Sequence, residues 1–228
     1  MHAETQDAIC ESLTTLSQAG DYYRWLAQRV SPFIRGQTLE IGTGIGNFAK
    51  WARKSAEEYY VSELDSRLVE RLRNEFDRVL QWDVFDPFPG DILFDTIVIL
   101  NVVEHLEDDK RALECLHQRL KPGGHLVLMV PAMQLLYGSM DRSFGHYRRY
   151  TRGSISRIVR NAAFTILKAE YVNVVGMLGW FLYGKILKRP NLPQQLCSRF
   201  NLVVPLLKLE RPIAHFMGLS AIVIARKD

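Results

Sequence analysis

The stretch Leu39-Glu40-Ile41-Gly42-Thr43-Gly44-Ile45-Gly46-Asn47 decides the fold. An apolar run leads into three glycines at alternate positions, and a helical pattern follows, so a strand turns sharply into a helix. Glycines there let backbone amides approach a ligand closely, and the opening turn of a helix leaves amides free to meet it. The pattern departs from the G-x-G-x-x-G of dinucleotide sites: the third glycine comes one residue early and Asn47 holds its place. The acid before the first glycine, Glu40, suits a cationic amino group better than a pyrophosphate.

Outward from this turn, short apolar runs alternate with helical patterns. Strands are expected at 38–42, 58–63, 79–82, 94–100 and 125–130, with helices at 47–55, 66–76 and 108–120 between them. Lys121-Pro122-Gly123-Gly124 reads as the sharp stop of the last helix. This alternation is the signature of a mostly parallel sheet with helices on both faces. After Pro131 the rhythm breaks into an irregular stretch, 131–151, dense in Tyr, Arg, His and Gly. A helix at 152–162 and strands at 165–175 and 218–225 follow. Between the last two strands, 176–217 reads as helices separated by Pro190, Pro193, Pro205 and Pro212. The domain expectation is a helical cap at 1–37 and one α/β domain at 38–228. Within that domain 131–151 forms an acceptor loop and 176–217 a lid, since insertions at strand ends shape sites.

The 228 residues are 47% hydrophobic and 24% charged, with a net charge of +4. That composition excludes a disordered tail or a fibre and is enough for a sizeable core. Three scattered cysteines, Cys10, Cys115 and Cys197, give no disulfide framework or zinc site. Residues 1–20 are polar and lack a basic start before an apolar run, so no export signal is expected and the compartment is cytoplasmic. The most apolar stretch, 172–187, is too short and interrupted for a spanning helix. It reads as a buried or membrane-grazing segment, which allows peripheral contact at the inner membrane face.

Glu40-Ile41-Gly42-Thr43-Gly44-Ile45-Gly46 resembles the first motif of class I S-adenosylmethionine (SAM)-dependent methyltransferases, and the later motifs agree in order and spacing over essentially 22–228. The resemblance implies a Rossmann-like, seven-stranded fold and SAM as cofactor. It places Glu40, Gly42, Thr43, Gly44 and Gly46 at the cofactor, and Glu63 on both ribose hydroxyls with Leu64 beside it. One carboxylate can accept both bonds of a vicinal diol; Asp65 is the near alternative, better suited to capping a helix. Asp83 would accept from the adenine amino group and the Val84 amide would face the ring, although Asp83 could simply shape a turn. Leu100 and Asn101 would line the methionine arm, and Val102 or Val103 would touch the adenine. Tyr22, on a helix ahead of the sheet, would close over the cofactor or serve only to pack that helix.

Leu136-Tyr137-Gly138-Ser139-Met140-Asp141 and Gly145-His146-Tyr147-Arg148-Arg149-Tyr150-Thr151 resemble a bacterial subgroup acting on small-molecule, sugar or lipid-linked acceptors. A methyl acceptor oxygen must lose a proton, and a histidine can take it. His146 is the first candidate, His105 the second, and Tyr147 would assist. Tyr137, Asp141, Arg148, Arg149 and Tyr150 would hold the acceptor, or else Asp141, Arg148 and Arg149 form a salt-bridge network that clamps the loop. Members with Glu-x-x-Glu-His before the helix bind a metal. Here Asn101 replaces the first acid and no second histidine cluster stands at ligand spacing, so no metal is expected. The expected function is methyl transfer, at oxygen, to a small-molecule or lipid-like acceptor. The alternatives are an RNA methyltransferase, suggested by the arginines at 142–160 but lacking an added RNA-binding module, and a non-catalytic nucleotide-binding protein.

Overall fold

A computed structural model describes residues 12–228; the first eleven residues of the expected cap, with Cys10, lie outside them. Seven strands form one sheet: β1 (Gln37–Ile41), β2 (Glu58–Glu63), β3 (Val79–Gln81), β4 (Phe94–Leu100), β5 (Leu120–Pro131), β6 (Phe164–Val172) and β7 (Ser220–Lys227). Their order is β3-β2-β1-β4-β5-β7-β6, and only β7 runs antiparallel to its neighbours. Both faces of the central strands are covered. On β4, Ile97 and Ile99 enter one apolar cluster with Leu113 and Leu116, while Val98 enters another with Trp25, Leu26 and Val30. The alternation follows from the two-residue period of a strand, and the near-continuous apolar sequence from burial on both sides.

The helix Asp109–Arg119 starts at Asp108, whose carboxylate accepts from the Arg111 amide at 2.9 Å. The helix Ser66–Arg73 is capped likewise by Asp65, which accepts from the Arg67 amide at 2.9 Å, the capping alternative for that residue. Several boundaries differ from the sequence expectation, among them the helix expected at 66–76, which ends at Arg73. Lys121-Pro122-Gly123-Gly124 lies inside β5: Leu120 pairs with Phe94, the four residues loop out as a bulge, and His125 resumes pairing with Thr96. Strand β6 stops at Val172 because Asn173 takes a left-handed φ of 62° and accepts from the Gly176 amide, opening the helix Val174–Trp180. Strand β7 begins two residues later than expected, at Ser220. After the glycine turn only Ala49–Ala52 is α-helical, followed by a 3-10 turn at Arg53–Ser55.

The stretch between β6 and β7 is helical, with Val174–Trp180 running into a π-turn at Phe181–Ile186, then Gln194–Phe200, Val204–Leu207 and Arg211–Ala214. Polar ties anchor it. The buried Glu210 carboxylate accepts from the amides of Asn173 (3.0 Å) and Val174 (2.9 Å), filling the otherwise open start of the first helix. The Asn201 side chain accepts from the Asp21 amide and donates to the Gln18 carbonyl, which fixes the helix Gly20–Val30 beneath it. The outer surface is apolar: Leu202, Leu206, Leu209, Ile213 and Phe216 are exposed at helical spacing, while Val204, Leu207 and Ala214 are buried. No helix among the described residues is long and apolar enough to cross a membrane. Glu210→Ala should lower stability by about 1–3 kcal/mol, because it strands two buried amides at once; urea unfolding at neutral pH measures it, and an unchanged midpoint would show that the insert is held otherwise.

Candidate active site

Strand order reverses between β1 and β4, and their carboxyl ends open a crevice where open α/β sheets bind ligands. Gly42, Gly44 and Gly46 line it with φ of 65°, 59° and 82°. Gly42 is tightest, since a Cβ there would run into the Val102 side chain. Asn101, at the end of β4, also takes a positive φ of 53°, a strained non-glycine backbone of the kind that clusters at sites. Its amide is held by the Met129 carbonyl at 2.8 Å, which leaves its exposed side chain at the crevice mouth.

Glu63 bridges the crevice. One carboxylate oxygen accepts from the Gly44 amide at 2.8 Å and the other from the Leu64 amide at 2.7 Å, so it ties the end of β2 to the glycine turn. Glu40 is buried and accepts from the Tyr59 hydroxyl at 2.6 Å. Burial pushes its carboxyl up to about 8, with the bond from Tyr59 opposing and the nearby Glu63 adding to the rise. The Thr43 hydroxyl donates back to the Glu40 carbonyl, and Val84 is buried. Asp83 accepts from the Phe85 amide at 2.9 Å, the turn-shaping contact. Tyr22 packs on Trp25 and Phe200 with its hydroxyl toward Asn173. Its neighbour Tyr23 instead faces Asn47 and Glu40. The sequence does not single out Tyr23, because a Tyr-Tyr pair on an unplaced helix gives no means of choosing. Residues 12–16 form a helical roof over the turn, with the Leu13 carbonyl accepting from the Asn47 side chain at 3.1 Å.

On the acceptor side, the loop 131–151 brings His146 to Glu104 and His105. The His146 Nδ1 donates to Asp141 at 2.9 Å, its Nε2 lies 4.0 Å from a Glu104 oxygen, and its ring centroid is 4.8 Å from that of His105. Ligand atoms of Glu104, His105 and His146 all lie within 4.8 Å of one another. This corrects the expectation that no second histidine comes to ligand spacing: His146 arrives from 41 positions down the chain, across the sheet end, where local spacing cannot reveal it. Burial pushes the Glu104 carboxyl up to about 8, only partly opposed by Arg149, and burial with the neighbouring His146 pulls His105 down to about 4.

The other acceptor-side residues largely hold the loop. Burial works to raise the Asp141 carboxyl, but bonds from His146 and Arg149 outweigh it and keep it below the usual carboxylate range. Arg149 donates to Asp141 at 2.7 Å and to the Ala132 carbonyl at 2.8 Å. Arg148 and Tyr150 both donate to Asp109, at 3.0 and 2.9 Å. Tyr137 donates to the His146 carbonyl at 2.8 Å. These are the contacts of the clamping alternative. Tyr147 is 58% exposed, with its amide donating to the Glu104 carbonyl. A small recess beside this loop is lined by Leu16, Phe144, Trp180 and Leu192 among others.

Glu40 generates a pH dependence. Below about pH 4.5 the carboxyl is protonated whether the chain is folded or not. Between there and about 8 the unfolded chain loses the proton and the native one keeps it, so ligand-free stability falls as pH rises. Glu40→Gln removes that slope and should be more stable than the parent at pH 8 by a few kcal/mol at most, since each tenfold change in proton affinity is worth about 1.4 kcal/mol. Parallel urea midpoints at pH 5 and 8 in both proteins would show an ionised native carboxylate.

Residues 7–169, well over half the chain, match a family model described as a methyltransferase domain. No curated protein matches significantly in sequence. Among solved structures, the complex of the Haloferax volcanii Trm112 methyltransferase activator with its methyltransferase is similar at TM-score 0.67 and 16% identity, over 96% of this chain and 94% of that one. A SAM-dependent methyltransferase from Archaeoglobus fulgidus gives 0.63 and 18%, over 90% and 92%. The Bradyrhizobium japonicum N-methyltransferase NodS, in complex with S-adenosylhomocysteine, gives 0.58 and 17%, over 90% and 85%. At these identities the structures show the fold, and the family model carries the assignment: the chain belongs to the methyltransferase-domain family and is a SAM-dependent methyltransferase.

Proposed function

We propose that the protein methylates a hydroxyl oxygen on a lipid-like or lipid-linked acceptor met at the inner, cytoplasmic membrane face. The observation that carries this reading is the exposed stripe Leu202, Leu206, Leu209, Ile213 and Phe216 on the insert. The insert is also basic in sequence: residues 176–217 contain Lys185, Lys188, Arg189, Arg199, Lys208 and Arg211 against one acid, Glu210, which is buried. An apolar stripe on a basic segment suits an anionic bilayer surface. In this reading 176–217 is the lid over the acceptor. The RNA alternative has less support, since Arg148 and Arg149 are already committed to Asp109 and Asp141.

Methyl transfer from a sulfonium is an in-line displacement in which the protein chiefly aligns the nucleophile. In the proposed arrangement the glycine turn, Glu40, Glu63, Asp83, Val84, Asn101 and Val102 hold the cofactor. His146, fixed by Asp141, and His105 act on the acceptor hydroxyl, and exposed Tyr147 orients it.

Glu63→Gln and Glu63→Ala should weaken S-adenosylhomocysteine binding by about 1–3 kcal/mol in calorimetry, through lost ribose bonds; unchanged affinity in both would remove Glu63 from the cofactor site. For the acceptor, methyl-labelled SAM is incubated with the protein and a cell extract, then partitioned. Label in the organic phase, together with flotation on anionic phospholipid vesicles that a Leu202→Ser/Leu209→Ser/Phe216→Ser variant loses, is the expected outcome. Label confined to the aqueous phase would overturn the lipid assignment.

A further inference from the structure

Glu104, His105 and His146 carry a feature that proton chemistry leaves unexplained. Both Glu104 carboxyl oxygens and the His105 Nδ1 are buried with no hydrogen-bond partner, and Glu104 is fully shielded from solvent. Buried polar atoms without partners are rare and costly, and a ligand is one of the few things that explains three of them together. The two rings are oriented for one. His146 donates its Nδ1 proton to Asp141, which leaves the Nε2 lone pair facing Glu104. The His105 ring faces the backbone of Gly145 and Phe144, and its Nδ1 has no partner. Three ligand-type side chains thus converge, and the His146 imidazole is held by an outer carboxylate in the way that fixes metal-binding histidines.

We propose that Glu104, His105 and His146 bind a divalent transition-metal ion, zinc foremost, as a three-ligand site. Two imidazoles and one carboxylate are the donor set for such an ion rather than for magnesium or calcium, which prefer oxygen. Ligands around a tetrahedral zinc stand about 3.5 Å apart, so side-chain rotations of order an ångström close the 4.8 Å cluster. Asn101 is not needed, because Glu104 itself supplies the carboxylate. The site deepens the proposed function and rests on that reading only for its purpose: a bound cation would polarise the acceptor hydroxyl so that its proton leaves to solvent, and the imidazoles would act on the acceptor through the metal as its ligands instead of taking the proton themselves.

The test is made on the full chain after chelation and reloading. Zinc retained after dialysis is measured by elemental analysis, and cobalt(II) is titrated as a visible-absorbing probe. One equivalent per chain is expected, with visible bands of nitrogen–oxygen ligation. Glu104→Gln and His146→Ala should each weaken metal binding at least 10-fold while S-adenosylhomocysteine binding, the check of folding, stays intact; His105→Ala is the second choice if either fails to fold. Asp141→Asn, which keeps the side chain's shape, should weaken it 10- to 100-fold. No stoichiometric zinc in a chain that binds S-adenosylhomocysteine would overturn the site, as would equal uptake by the variants. Methyl transfer is scored separately. Label reaching the organic phase at full rate in a protein that takes up no zinc refutes the metal and spares the lipid assignment. Stoichiometric zinc with label only in the aqueous phase does the reverse.

Discussion

A single carboxylate, that of Asp141, organises the acceptor half of the molecule. It is fully removed from water, and an isolated charge in that position would be prohibitive. It is stable because four donors converge on it, three from its own loop and one from the insert: the Arg149 guanidinium, the His146 ring, the Gly138 amide and the Trp180 indole. Arg149 in turn lies over the Trp180 ring, 4.9 Å from its centroid. The loop after β5 is therefore locked, and His146 has one orientation. Removing either partner of such a buried pair leaves the other charge stranded, which makes these positions intolerant.

The same network joins the loop to the insert. Gly138 lies so close to Gly184 that a Cβ on it would sit 2.5 Å from the Gly184 carbonyl, and Ser139 donates to that oxygen at 3.0 Å. The insert is also tied to the helix Gly20–Val30 through Asn201, and that helix presents its Tyr23 to Asn47 and Glu40 at the glycine turn. Cofactor crevice, acceptor loop and surface-exposed insert are thus mechanically continuous.

Much of this is legible in the sequence, and the boundary is instructive. Periodicity reveals β1 to β5 because strands buried on both faces carry runs such as Phe94–Leu100 that little else produces. The glycine turn is readable because three left-handed residues in a row of seven leave a compositional mark. What stays hidden is what depends on distance along the chain. The Lys121–Gly124 bulge looks like a helix stop until the pairing of Leu120 with Phe94 is known. Asn173 ends β6 through its own backbone angle, which no apolar pattern reports. The meeting of Glu104 and His105 with His146 is invisible to local spacing, since the fold and not the motif brings them together. At Asp141, Arg148 and Arg149 the sequence offers two readings of the same charges, and only their partners distinguish ligand from clamp.

The distribution of charge has a physical consequence of its own. The insert holds more positive than negative charge by five, while the whole chain is only +4, so the remainder is close to neutral. The molecule therefore carries a permanent dipole with its positive pole on the insert. Near an anionic surface that dipole exerts a torque, felt within a screening length of about 8 Å at physiological ionic strength. The chain would turn its insert toward the surface before any apolar side chain made contact, so encounters would begin in one orientation and would lose that bias as salt is raised.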